Sequence, residues 1–184
     1  LVHGTSITSL HASVPPSLVP LGIYAEEIFD PGGGEELSLE LGTELTPGIY
    51  AVRLYMGNGY FGTNQPGQRF FNIAIEEESF LTNVDLASSF GPDAGGVFEW
   101  SGAVKDGSVT VDFGHVLENP LINAAEVVLL EELPNTPFVS VIAPAVNEAD
   151  GSLDLVFQSD ILVPETGPVT IDFEVVGLTA TPEV

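Results

Sequence analysis

The side chains best placed to act on a partner are two adjacent rings, Tyr60 and Phe61. They follow the turn-forming Gly57-Asn58-Gly59 and precede a stretch rich in Gly and Pro, which puts them on a loop rather than inside a strand. Large rings have little structural reason to stand there, so they read as ligand contacts. The plainer alternative folds Phe61 inward as a loop plug and leaves only Tyr60 in solvent. A second candidate group is acidic. Asn147-Glu148-Ala149-Asp150-Gly151 is an oxygen-rich turn, and a hard cation needs about six to eight oxygens, so Glu148 and Asp150 with Asp172 are candidate calcium ligands. The competing reading is a solvated acidic turn, as for Glu35-Glu36 and Glu76-Glu77-Glu78, which read as loop or edge-strand charge.

Catalytic constellations are not indicated. A glycosidase needs two carboxylates about 5 to 10 Å apart with one pKa raised, but 27 acidic residues supply such pairs by chance. His3, His11 and His115 lack the spacing of a zincin, and no Ser sits in a Gly-Xaa-Ser-Xaa-Gly elbow. His115, just after a strand ending at Phe113, reads as a loop hydrogen-bonder rather than a base. The expectation is a protein that is not an enzyme.

The elements that must position these residues have a period of two. Leu37, Leu39 and Leu41 alternate with polar neighbours; Tyr50, Val52, Leu54 and Met56 form one face of the run 49–56; Val109, Val111 and Phe113 form another. Leu153, Leu155 and Phe157, then Val169, Ile171, Phe173 and Val175, repeat the pattern near the C-terminus. Gly, Pro, Asn and Asp clusters separate the runs, among them Thr46-Pro47-Gly48, Gln65-Pro66-Gly67-Gln68 and Asp93-Ala94-Gly95-Gly96. No helix of three turns is expected. Many short strands between such breakers imply an all-β sandwich. The segment 131–137 contains two prolines and reads as a linker between residues 1–130 and 138–184.

Composition bounds the partners. The chain has 184 residues with a formal charge of −24, yet 44% of it is hydrophobic, which excludes a disordered acidic segment. Nucleic acid and anionic membrane surfaces would be repelled. No apolar run approaches the ~20 residues of a membrane span, so membrane insertion is not expected. The absence of Cys removes disulfides and thiol chemistry. Adaptation to high salt would account for the acidity without any specific partner.

Four stretches in order carry a resemblance: Pro47-Gly48-Ile49-Tyr50-Ala51-Val52-Arg53-Leu54-Tyr55, Gly67-Gln68-Arg69-Phe70-Phe71-Asn72-Ile73, Asp106-Gly107-Ser108-Val109-Thr110-Val111-Asp112-Phe113, and Glu118-Asn119-Pro120-Leu121-Ile122-Asn123-Ala124-Ala125-Glu126-Val127. Together with 23–30 upstream, they make about 5–130 resemble the malectin-like family of carbohydrate-binding β-sandwiches, of jelly-roll type. Residues 138–184 are similar to the first half of a Calx-beta repeat, an Ig-like β-sandwich, through Val146-Asn147-Glu148-Ala149-Asp150-Gly151 and Gly167-Pro168-Val169-Thr170-Ile171-Asp172-Phe173.

The malectin resemblance implies a non-catalytic module that grips an oligosaccharide or cell-surface glycan with loop aromatics and a carboxylate. By position the aromatics match Tyr60 and Phe61, Phe29 stands where the family has a Tyr, and Glu118 replaces the Asp before Asn119-Pro120. The family's N-terminal Tyr has no counterpart. A ring covering ~100 Å² of a sugar's apolar face contributes about 2.5 kcal/mol before association costs. Two such rings, with hydrogen bonds from Glu118 and Asn119, imply millimolar to micromolar binding. No cofactor is required, and calcium is an optional one. The expected setting is a secreted or cell-surface multidomain protein. The alternative is a structural subunit of an extracellular filament or adhesin, self-associating through open sheet edges completed by strand addition and calcium.

Overall fold

The computed structural model describes residues 1–15, 17, 19–32 and 36–133, and the backbone of two further strands. The chain is all-β. Its central strand, β5 (Gly48–Gly57), pairs antiparallel with β8 (Ala94–Val104) from Gly48↔Val104 to Gly57↔Gly95, and on its other edge with β11 (Ala124–Glu132). The short β2 (Ser9–Leu10) adds in parallel to β8, giving the order β11-β5-β8-β2. β11 carries a bulge between Leu129 and Glu131 and runs two residues into the stretch read as a linker.

A second four-stranded sheet has the order β4-β9-β6-β7, from β4 (Leu37–Leu41), β9 (Val109–Leu117), β6 (Phe70–Ile75) and β7 (Glu78–Val84). The period-two runs fill the space between the sheets. Tyr50, Val52, Leu54 and Met56 of β5 meet Phe71, Ile73 and Ile75 of β6 and Val109, Val111 and Phe113 of β9, all buried, with Leu37, Leu39 and Leu41 packed at the margin. Burying one such Leu, Ile or Phe is worth about 1.5–3 kcal/mol, so one stripe per strand suffices to hold the layers together. The opposite face of β5 is also covered: Tyr55 packs with Val14, Val19 and Tyr24 in a second buried cluster.

One local feature differs from the sequence reading, and a second gives the loop reading its geometry. Gly95 and Gly96 are not turn residues but lie within β8, because the rings of Tyr24 and Phe90 occupy the space that their Cβ atoms would need. Glu76 and Glu77 form a tight two-residue link between β6 and β7, both at positive φ (53° and 62°). That conformation matches the twist of paired strands but ordinarily selects Asn or Gly. Here Glu76 is held from the next strand: its backbone N–H donates to Thr110 O at 3.0 Å, and its Oε1 accepts from Thr110 N at 2.8 Å.

A three-stranded sheet, β1-β3-β10, is built from β1 (Val2–Gly4), β3 (Glu26–Phe29) and β10 (Leu121–Ile122). It includes Phe29 and, two residues before β10, leads back to Asn119. The single α-helix among the described residues, α1 (Leu86–Phe90), is capped by Asp85. Strands β12 (Phe138–Ile142) and β13 (Val156–Asp160) pair antiparallel. Residues 143–155 and 161–184, and with them the calcium-ligand candidates Glu148, Asp150 and Asp172, lie outside the described residues.

Candidate functional site

The loop after β5 is shaped by Asn58, which is buried although polar. Its Nδ2 donates to Thr63 O at 2.6 Å, and Thr63 N donates to Tyr60 O at 2.9 Å, closing a turn with the two rings at its tip. Gly59 is required because a Cβ would stand 2.7 Å from Ser6 N. The geometry leaves Phe61 85% exposed and Tyr60 40% exposed. Their centroids are 5.1 Å apart with planes tilted by 49°. Phe61 therefore does not plug the loop.

The strand register extends this pair into a row. His3 of β1 lies opposite Glu27 of β3, which places it between Phe29 and Tyr60. Its ring meets Phe29 edge-on at 6.5 Å and Tyr60 edge-on at 6.3 Å. Phe29 is half-buried, so it offers less surface than the loop rings. The sequence gives no local sign of His3, because it reaches the row only through the pairing of β1 with β3.

Arg69 ties the ring loop to the other side of the site. The residue is only 4% exposed, and its guanidinium donates to Thr63 Oγ1 at 2.8 Å and to Asn119 O at 2.9 Å. Asn119 thus contributes its backbone carbonyl to holding the loops together, and Glu118 beside it is exposed at a positive φ of 62°. Burial lowers the Arg69 pKa, while Glu27, Glu118 and the Tyr60 hydroxyl pull it back up. Glu27 is the converse case: burial raises its carboxyl pKa against the opposing charges of Arg69 and His3. Glu27 Oε2 and Arg69 Nε find no hydrogen-bond partner among the described residues, and each such buried atom costs about 1–3 kcal/mol. Neither residue was singled out from the sequence. Arg69 being one of only 3 basic residues was the available signal.

His115 lies near the edge of this region. Its Nε2 is 3.4 Å from Asp30 O and its Nδ1 3.8 Å from Asp30 Oδ2, while the Asp30 carboxylate accepts from Gly32 N and Leu37 N. His115 is thus a hydrogen-bonder, but not a loop residue as the sequence reading has it: β9 runs on past Phe113 to Leu117, and His115 pairs with Phe71 of β6. No cluster of His, Asp and Glu able to hold a metal ion occurs among the described residues. The site thus brings Tyr60, Phe61, Phe29, Glu118 and Asn119 to one end of the sandwich, around a buried Arg69. Its surface can stack on an apolar ring and accept hydrogen bonds at an exposed carboxylate.

Residues 35–125 match the Malectin domain family. The matched span contains four of the five candidate contacts, Tyr60, Phe61, Glu118 and Asn119, and also Arg69; Phe29 precedes it. Solved structures agree on the fold. The ANXUR1 extracellular domain from Arabidopsis thaliana is similar with a TM-score of 0.59 at 15% identity, over 69% of this chain and 37% of that one. The ANX2 ectodomain from the same plant gives 0.58 at 15%, over 69% and 39%. The plant Receptor-like Kinase FER gives 0.56 at 14%, over 67% and 36%. The chain therefore spans less than two fifths of the length of these structures. No protein of curated function matches the sequence. No helix among the described residues is long and apolar enough to cross a membrane. The ring loop and the Glu118–Asn119 loop both lie within the matched span, and the Arg69 guanidinium joins them.

Proposed function

We propose that this chain is a non-catalytic carbohydrate-binding module of an extracellular or cell-surface protein, and that it takes an uncharged oligosaccharide at the loop rim. The observation that carries the reading is the exposure of Tyr60 and Phe61 side by side, on a loop that Arg69 ties to the segment carrying exposed Glu118. A pyranose has one apolar face and an edge of hydroxyls. The rings suit the face, and Glu118 suits the edge as a charge-assisted acceptor. Anionic sugars are disfavoured by that carboxylate and by the net charge of −24. The Malectin domain match over the ring loop and the Glu118 loop supports the same reading.

The test is isothermal titration with glucose-containing disaccharides such as maltose and cellobiose. The expected Kd lies between millimolar and micromolar, about −4 to −8 kcal/mol. Tyr60→Ala and Phe61→Ala should each weaken binding by about tenfold or more. The melting temperature of Phe61→Ala should barely change, because its ring is 85% exposed. Binding of none of the sugars, or binding indifferent to both substitutions, would remove the proposal.

A further inference from the structure

The outer face of the sheet β11-β5-β8-β2 carries a second constellation that shares no residue with the rim. A cavity of about 520 Å³ opens there, within the range of small-ligand sites. Its accessible apolar surface is half-buried Val97 and exposed Pro15, while Tyr55, opposite Val97 in the β5–β8 register, is 8% exposed and presents mainly its hydroxyl. Pro15 and the buried Val19 bound it from the loop that follows β2. The loop is pinned to the strand where Val97 N donates to Ser13 Oγ at 3.2 Å.

The charged side of the cavity is a row across three strands. Arg53 pairs in register with Glu99 on one side and with Glu126 on the other. Its Nε donates to Glu99 Oε2 at 2.6 Å and its Nη1 to Glu126 Oε2 at 3.2 Å, and Tyr55 OH donates to the same Glu126 oxygen at 2.9 Å. The guanidinium is thus fixed before any ligand arrives. Its Nη2 has no bond among the described residues, nor has Oε1 of either carboxylate.

This alternation selects the ligand by its hydrogen-bonding capacity. An ammonium can only donate, and would leave the free guanidinium N–H groups unmatched beside a second cation. A phosphate or carboxylate can only accept, and would face two carboxylates. Adjacent hydroxyls both donate and accept without adding charge, so they complement the alternation of carboxylate, guanidinium and carboxylate. The apolar Pro15 and Val97 next to such a row fit the two-sided character of a pyranose. We infer that the cavity between Ser13, Pro15 and Val19 and the Arg53–Glu99–Glu126 row is a second binding site, for one or two neutral sugar units. The inference does not depend on the rim.

Amide-resolved NMR titration with maltose, cellobiose and N-acetylglucosamine tests it. At least one sugar should produce saturable shifts at Arg53, Val97, Glu99 and Glu126, and these should persist in the Tyr60→Ala/Phe61→Ala double variant. Arg53→Met and, separately, the isosteric Glu99→Gln should weaken this site by about tenfold or more while leaving any rim response intact. Both positions lie on the solvent side of the sheet, and an unchanged amide spectrum outside the row verifies the fold. The absence of saturable shifts at these four amides with all three sugars would overturn the inference, as would shifts produced by n-butylammonium chloride but by no sugar. Loss of the rim response alone would remove the rim reading and leave this one standing.

Discussion

Asp85 shows how a single carboxylate fixes the ground on which the ring loop stands. It accepts from Ala87 N at 3.0 Å, Ser88 N at 3.2 Å and Ser88 Oγ at 2.7 Å, capping α1, and from Gly67 N at 2.6 Å in the stretch after Tyr60 and Phe61. Burial opposes ionisation of this group, but the four donors outweigh it and hold the carboxyl below the ordinary Asp range. A carboxylate depressed in the folded state adds stability above its unfolded pKa of about 3.9, and that stability is lost as pH falls through the lower folded value. Asp85→Ala should therefore cost about 1–3 kcal/mol near neutral pH. The deficit relative to the parent should shrink in acid, below the unfolded Asp pKa. Urea unfolding of parent and variant across that range measures this. A deficit that is the same at neutral and acid pH would show that the charged cap contributes nothing beyond packing.

At the scale of the element, β8 begins with a conflict between composition and packing. Gly95-Gly96 reads as a chain break, yet both residues pair with β5, at Gly57 and Met56. They are glycines because rings lie against them: a Cβ on Gly95 would stand 2.6 Å from Tyr24 Cε1, and one on Gly96 would stand 2.1 Å from Phe90 Cδ1. Phe90 has little room to retreat, since its ring centroid is 4.7 Å from that of Phe98 and 5.4 Å from that of His11. Gly96→Ala should accordingly destabilise by about 1–3 kcal/mol through overpacking, outweighing the roughly 0.5–1 kcal/mol that Ala ordinarily gains over Gly in a strand. Denaturant unfolding decides the sign, and a variant as stable as the parent would mean that the Phe90 ring moves freely. The same contrast explains what was legible in the sequence. Alternation over five or more residues disclosed β4, β5 and β9, whereas β1, β2 and β10, of 3, 2 and 2 residues, are too short to show a period. Tyr60 and Phe61 were legible because glycines flank them in a loop. His3, Glu27 and Arg69 were not, because their places depend on partners far along the chain. Arg53, Glu99 and Glu126 form a row only once β5, β8 and β11 are in register.

For the whole molecule the governing quantity is charge. Twenty-seven acidic residues stand against 3 basic ones, and the described pairings occupy little of the excess: Arg53 takes Glu99 and Glu126, while buried Arg69 makes no ion pair within 4.0 Å among the described residues. Most carboxylates therefore repel one another across the surface. Such repulsion is stronger in the compact state than in an expanded chain, so it subtracts from stability. Salt should restore part of it, because the Debye length falls from about 30 Å at 0.01 M to about 3 Å at 1 M. The exposed Arg53 pairs would weaken under the same screening, but exposed pairs are worth only about 0–1 kcal/mol, less than the summed repulsion of a −24 body. Thermal unfolding at neutral pH should thus show a melting temperature that rises by several degrees, about 4 °C per kcal/mol recovered, between low and molar sodium chloride. Sodium chloride is the appropriate probe, since a divalent cation could also act by binding. A melting temperature that stays level or falls would mean that the carboxylates are already compensated within the fold, and that the acidity of the chain serves something other than tolerance of its surroundings.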